Sequence, residues 1–252
     1  MNGAVRGLER PRVAWIAALA AAFPAFAQPS PAAGIPDRLQ QRLAEARALQ
    51  QKGSLREAQK LYEESLGDLT SRGDQENLGT ALNALSQIAT AQGDYGRAAS
   101  AGRDAVEAYR RSGNRAGERR AVNSVGLAEL YRGDYPLAEA RFEEGLALAR
   151  AGADTEAEVE ELNNLGTVFF PRARYLDALH AYRTALERVD RAASAPWAAR
   201  RRRITLSNLA TVFLRLGSYD QALDIYRDLQ RSPEALAPSE QARVLANLGV
   251  LY

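Results

Sequence analysis

Cysteine is absent from the 252 residues and histidine occurs once. Disulfides, thiolate metal sites, a cysteine nucleophile and a lipidated N-terminal cysteine are therefore excluded, and a multi-histidine zinc site has little to be built from. Aromatic residues are scarce at 7%, but 46% hydrophobic and 25% charged residues are the proportions of a globular chain, not a disordered one. No apolar run is long: the stretch from Val13 to Ala27, about 15 residues, falls short of the ~20 that a membrane-spanning helix needs. Phosphate-cradling glycine loops, zinc motifs and nucleophile elbows are missing as well. His180 has no nucleophile or metal partner visible in the sequence, and Glu143-Glu144 and Glu160-Glu161 are adjacent pairs that diverge on a helix. The composition predicts a chain that binds, with no metal and no cofactor, and not an enzyme.

What is present begins with an export signal. Arg6, Arg10 and Arg12 precede the apolar run Val13 to Ala22, and Ala25-Phe26-Ala27 supplies the small-x-small pattern of a signal peptidase site. Residues 1–27 read as a signal peptide cut after Ala27, which predicts a periplasmic or secreted protein with no stable membrane span; the competing reading is a retained anchor. Loss of the three arginines and Glu9 takes 33 basic and 31 acidic side chains to 30 of each, so the mature chain has no global field for nucleic acid. Residues 28–36 (QPSPAAGIP) read as a short disordered linker.

From residue 37 onward one unit recurs. GSLREAQKLYEESL from Gly53, GDYGRAASAGRDAV from Gly93, GDYPLAEARFEEGL from Gly133, ARYLDALHAYRTAL from Ala173 and GSYDQALDIYRDLQ from Gly217 are separated by 40, 40, 40 and 44 positions. A fixed period of this size marks a solenoid. Each unit holds two helical stretches, with apolar residues at helical spacing in the first (Leu162, Leu165, Phe169) and an aromatic, Ala, aromatic stripe in the second (Tyr135, Ala138, Phe142). Between them a glycine can end one helix in a left-handed residue, and the Ser or Asp that follows can cap the next. Such tight turns make the two helices antiparallel, and neither can bury its stripe without a neighbouring pair. The expected architecture is all-α, a solenoid of antiparallel helix pairs. Its units cover about 37–70, 75–111, 115–151, 155–191 and 197–231, with a partial sixth at 238–252.

Leu-Gly or Leu-Ala early in the first helix, Gly-Asp/Ser-Tyr at the turn, then Ala and an aromatic form a pattern that resembles the tetratricopeptide repeat. Leu165-Gly166 with Tyr175, Ala178 and Tyr182 is a full match, and the resemblance covers residues 37–252. The period exceeds the usual ~34 residues. It looks like the long-period subclass, in which Asn-Asn-Leu-Gly, here Asn163 to Gly166, is frequent. The resemblance implies a right-handed superhelix. Some units depart from the pattern. Pro171 and Ala173 predict an early stop or kink in the fourth unit, Gly102 stands where an aromatic is expected, and Ala192 to Ala199 should form a longer turn with Ser194 a candidate cap.

The same resemblance implies a concave groove lined by the first helices, which accepts a peptide or a helix from a partner protein. Asn164, Asn208 and Asn247 each directly precede the Leu of the Leu-Gly/Ala pair, while Asn83, Asn123 and Asn163 recur every 40 residues one position earlier. An amide both donates and accepts, so a ladder of them can hold any peptide backbone; the same geometry would equally let them bridge neighbouring first helices. Leu130, Phe170 and Leu214 hold equivalent places near the ends of first helices and suit either an apolar strip for a partner helix or ordinary packing. The arginines at 110, 111, 115, 119, 120 and 200–203, and the glutamates at 156, 158, 160 and 161, read as solvated helix surface.

The function expected is therefore an exported scaffold that binds a protein or peptide partner. Tyr252 falls inside a sixth first helix whose Leu245, Leu248 and Leu251 await a cover. That feature supports two further expectations: self-association through this helix, or an N-terminal module of a longer signalling, protease or kinase protein with its catalytic domain downstream.

Overall fold

The computed structural model describes residues 37–231. The expected signal peptide at 1–27, the expected linker at 28–36, and the expected sixth unit at 238–252, with Asn247 and the surface expected to self-associate, lie outside the described residues. Within them the fold is all-α, ten helices in sequential antiparallel pairs. The first helices of the five pairs are α1 (Asp37–Gln51), α3 (Gln75–Ala91), α5 (Arg115–Arg132), α7 (Thr155–Phe169) and α9 (Ala198–Arg215). Their partners are α2 (Leu55–Ser71), α4 (Tyr95–Ser112), α6 (Tyr135–Ala151), α8 (Tyr175–Arg191) and α10 (Tyr219–Arg231). Each helix packs on the one before and after it, α3 also rests on α5 and α7 on α9, as a solenoid requires.

The turns recur every 20 residues. A left-handed residue stands at Gly53, Gly73, Gly93, Gly113, Gly133, Ala153 and Ala173, and again at Gly217 after the longer loop. The residue that follows caps the next helix. Asp74, Asp94, Asn114, Asp134 and Asp154 each accept a hydrogen bond from the backbone N–H three residues on. Two expected caps fail. Ser54 makes no side-chain cap to α2, and α9 starts after Trp197 with no side-chain cap, so Ser194 stays in the loop. Pro171 acts as its ring chemistry dictates: α7 ends at Phe169 and a single 3-10 turn, Phe170–Arg172, leads to Ala173.

The core forms where a small residue of a first helix meets an aromatic ring of its partner. A Cβ added to Gly126 would stand 2.6 Å from the ring of Phe142, and one on Gly166 2.5 Å from that of Tyr182. Tyr62, Phe142, Tyr182 and Tyr226, one in each repeat but the second, are buried; each such burial stabilises by about 1.5–3 kcal/mol. The second unit has Gly102 at this place, and the helices close up instead: a Cβ there would meet Val125 at 2.7 Å and Ser86 at 3.1 Å.

Ala153 and Ala173 adopt φ of 52° and 56°, a conformation that costs a residue with a Cβ about 1–2 kcal/mol. Gly73 and Gly113 hold the same place as Ala153 in earlier repeats at no such cost. Ala153→Gly and Ala173→Gly are each expected to stabilise the fold, by up to about 1 kcal/mol after the added freedom of the unfolded chain is subtracted. Urea unfolding followed by circular dichroism measures this; a fall in stability for both variants would contradict the turn assignment.

Candidate functional site

The asparagine ladder lies in the seams between first helices. Asn83, Asn123, Asn163 and Asn164 are buried, and Asn208 is half-buried. Asn123 on α5 donates from Nδ2 to both carboxylate oxygens of Glu161 on α7, at 3.1 Å each. Asn163 on α7 donates from Nδ2 to Thr205 Oγ1 on α9 and to the carbonyl of Val159, both at 2.9 Å. Asn208 completes this seam with a 3.5 Å contact from its Nδ2 to Asn163 Oδ1. The Nδ2 of Asn164 lies 3.5 Å from Glu161. Asn83 is the exception: its Oδ1 is buried without a partner, and the place 38 residues on, where the Nδ2 of Asn123 finds Glu161, holds Ala121.

The three apolar candidates do not share one environment. Leu130 is 1% exposed and Phe170 8% exposed, both inside the core, while Leu214 is half-buried against it. Phe170 meets Tyr175 edge-on at 5.5 Å, and the guanidinium of Arg215 lies over its ring at 5.8 Å. What the first helices keep partly exposed is a different row. On α5 it comprises Arg120, Leu127 and Tyr131, spaced seven and four apart along one face. The equivalent places on α9 hold Ile204, Thr211 and Arg215, with Asn208 between them, and α7 contributes Glu160 and Pro171.

The charge runs are only in part the solvated surface expected of them: Arg110, Arg111, Arg115 and Arg202 are exposed. Glu118, Glu129, Glu158 and Glu161 are buried, and arginines reach over them from neighbouring helices. Arg110 Nε donates to Glu118 at 2.7 Å, and Arg150 Nε and Arg188 Nε lie 3.0 and 3.3 Å from Glu158. Arg201 on α9 approaches Glu156 and Glu160 at 3.2 and 3.6 Å. Arg119 Nη1 lies 3.0 Å from Glu161 and 3.5 Å from Glu160, so α5, α7 and α9 are linked by one chain of ion pairs. A glutamate early in a helix is ordinarily hydrated and complements the helix dipole; here the neighbouring repeat supplies the counter-charge in place of water.

Glu161 is the extreme case, with no exposed surface. It stands at the place held by Ala81 and Ala121 in earlier repeats and by Thr205 in the next. Room for it comes from α6: a Cβ on Gly145 would lie 2.8 Å from the Glu161 carboxyl carbon, and the matching residues Ala105 and Ala185 carry one. Burial pushes Glu161 from 4.5 up to about 8; Glu160 adds to the rise, and Arg119 and Asn123 oppose it. Among the described residues no cluster of acidic or histidine side chains could hold a metal ion, and no helix is long and apolar enough to cross a membrane. His180 is exposed on α8.

The sequence model of the tetratricopeptide repeat matches residues 41–111 and 158–235. No curated protein sequence matches the chain. Among solved structures, the apo form of RapI superposes with a TM-score of 0.70 at 15% identity, over 84% of this chain and 58% of that one. The repeats of a putative kinesin light chain from Podosopora anserina give a TM-score of 0.64 at 16% identity, over 83% of this chain and 98% of that one. NprR in complex with its cognate peptide NprX gives 0.60 at 16% identity, over 85% of this chain and 62% of that one. This chain thus spans less than two thirds of RapI and of NprR, and at these identities the likeness is one of fold. The repeat model covers more than half of the sequence, in the same units that the helix pairs build, and the chain belongs to the tetratricopeptide-repeat family.

Proposed function

We propose that the chain is an exported scaffold of the long-period tetratricopeptide subclass, which binds an extended segment or a helix of a partner protein along its first helices. The observation that carries this reading is the partly exposed row Arg120, Leu127 and Tyr131 on the third repeat with Ile204, Asn208 and Thr211 on the fifth, which sets donors and acceptors beside apolar surface. Such a face suits a ligand that presents backbone amides and a few apolar side chains. NprR, similar in fold, has been solved with a peptide, which is consistent with this use of the architecture. In this reading Asn208 touches the ligand, while Asn83, Asn123, Asn163 and Asn164 set the spacing of the helices beneath it. Leu130 and Phe170 support the row from the core, and Leu214 lies at its edge.

In this reading residues 1–27 are an export signal cut after Ala27, and the scaffold works in the periplasm or outside the cell. RapI and NprR are longer chains, which favours a second reading in which these repeats are one module of a larger signalling, protease or kinase protein. Sequencing of the gene beyond codon 252 separates the two.

Binding is tested with peptides selected from a random displayed library against the immobilised chain. Arg120→Ala combined with Asn208→Ala is expected to weaken the selected peptides at least about tenfold, roughly 1.4 kcal/mol, with helicity unchanged. Unchanged affinity would remove the first-helix face from the reading. For export, N-terminal sequencing of the protein from a periplasmic extract is expected to begin at Gln28; an intact N-terminus in the membrane pellet would overturn cleavage.

A further inference from the structure

The seams between successive first helices are not alike. α3 rests on α5 and α7 on α9, whereas α5 and α7 approach each other less closely. What joins them is the pair of side chains Arg119 and Asn123 reaching from α5 to the buried carboxyl of Glu161. The pocket is built for that group from both sides. Glu161 replaces an alanine of earlier repeats, and Gly145 opposite has given up the Cβ that Ala105 and Ala185 keep. The carboxyl thus sits at a seam without close helix contact, as the seam between α1 and α3 also is.

We propose that the seam between α5 and α7 is a hinge of the solenoid, and that the charge on Glu161 sets how far it opens. The groups around it are few. Arg119 is the cation facing it from α5, where Asn123 also donates; α6 presents Gly145 at the contact, and α7 adds Glu160 and Asn164. Glu158 on α7 is turned toward Arg150 and Arg188, Glu144 on α6 is held by Arg110 and Arg141, and Arg201 on α9 reaches Glu156 and Glu160. Arg119 is thus shared between two carboxylates. With Glu161 protonated, Arg119 and Arg201 face Glu160 and Glu156, two cations against two anions, and the neutral carboxyl rests in its pocket. With Glu161 ionised, Arg119 and Arg201 face three anions, and the one without exposed surface, Glu161, carries charge that is relieved when the helices part and admit solvent.

The sign of the pH effect follows. In the unfolded chain the carboxyl ionises near 4.5 and in the fold near 8, so between these values the native state holds the extra proton. The stability this group confers is present below the lower value and is lost as pH rises toward the upper one.

The test uses the full chain, whose lack of cysteine allows clean double labelling. Asp104→Cys on α4 and Asp224→Cys on α10, both exposed, carry spin labels on either side of the seam. The distance between them is expected to lengthen as pH rises from 6 to about 9.5, with a midpoint near 8. Glu161→Gln is expected to hold the low-pH distance throughout and to flatten the fall of Tm with pH; Arg119→Gln should move the midpoint upward. A wild-type distance that stays constant overturns the proposal whether or not either variant folds. A transition that persists in Glu161→Gln overturns it as well. Neither readout involves a ligand, so the hinge and the binding reading fail separately.

Discussion

Everything in this molecule depends on the inability of a helix pair to bury its own apolar face. A single pair exposes the far side of its aromatic stripe, and only the next pair covers it. Within a pair the contact is small against large: Gly126 under Phe142 and Gly166 under Tyr182 let the two helices meet at a distance no pair of large side chains would allow. The interaction is local, it repeats, and it carries no information about sequence-distant parts of the chain. Its strength is therefore set repeat by repeat, which is why the second unit can dispense with its aromatic and close up on Gly102 without disturbing the rest.

Stacking of this kind fixes how each pair meets the next but leaves the angle between successive pairs to whatever fills the seam between first helices. Here polar groups fill it. Asn123 with Glu161 and Asn163 with Thr205 are satisfied by each other, and a buried polar pair with good geometry constrains position more narrowly than apolar contact does, though it adds little net stability. Where the partner is missing, as at Asn83, an acceptor is left unpaired at a cost of about 1–3 kcal/mol. The seams therefore differ in chemistry even though the repeats agree in outline, and a solenoid built this way bends more readily at some joints than at others.

The parts of the fold that depend on nearest neighbours in sequence could be read from the residues alone. Turn glycines at 53, 93, 133 and 217, the Asp94 and Asp134 caps and the break at Pro171 are all decided within a few positions. The candidate site was legible only to its helix and turn. Helical spacing puts Asn123 and Asn163 on a first helix, but the seam and the exposed row lie a small rotation apart on that helix, and the spacing does not separate them. Ser54 stands at the start of α2 on a backbone like that of the capping aspartates, yet its side chain makes no cap, and Ser194 stays in the loop before α9.

Glu161 shows why the remainder was hidden. By itself, a glutamate in the second turn of a helix with three other acids nearby is the most ordinary of surface residues. Its burial is visible only when the repeats are laid over one another. Ala105 then faces Ala121, Gly145 faces Glu161 and Ala185 faces Thr205, a run in which one position has gained the volume its opposite has surrendered. Compensation of this sort across two helices is a property of the pair and not of either residue. In a repeat protein the neighbouring units serve as the reference against which it stands out. A buried ionisable group costs several kcal/mol unless paired, and Arg119, itself 13% exposed, is drawn in from the adjacent repeat to do so. The charge that reads as solvation in the sequence is, in the folded chain, what one repeat uses to hold the next.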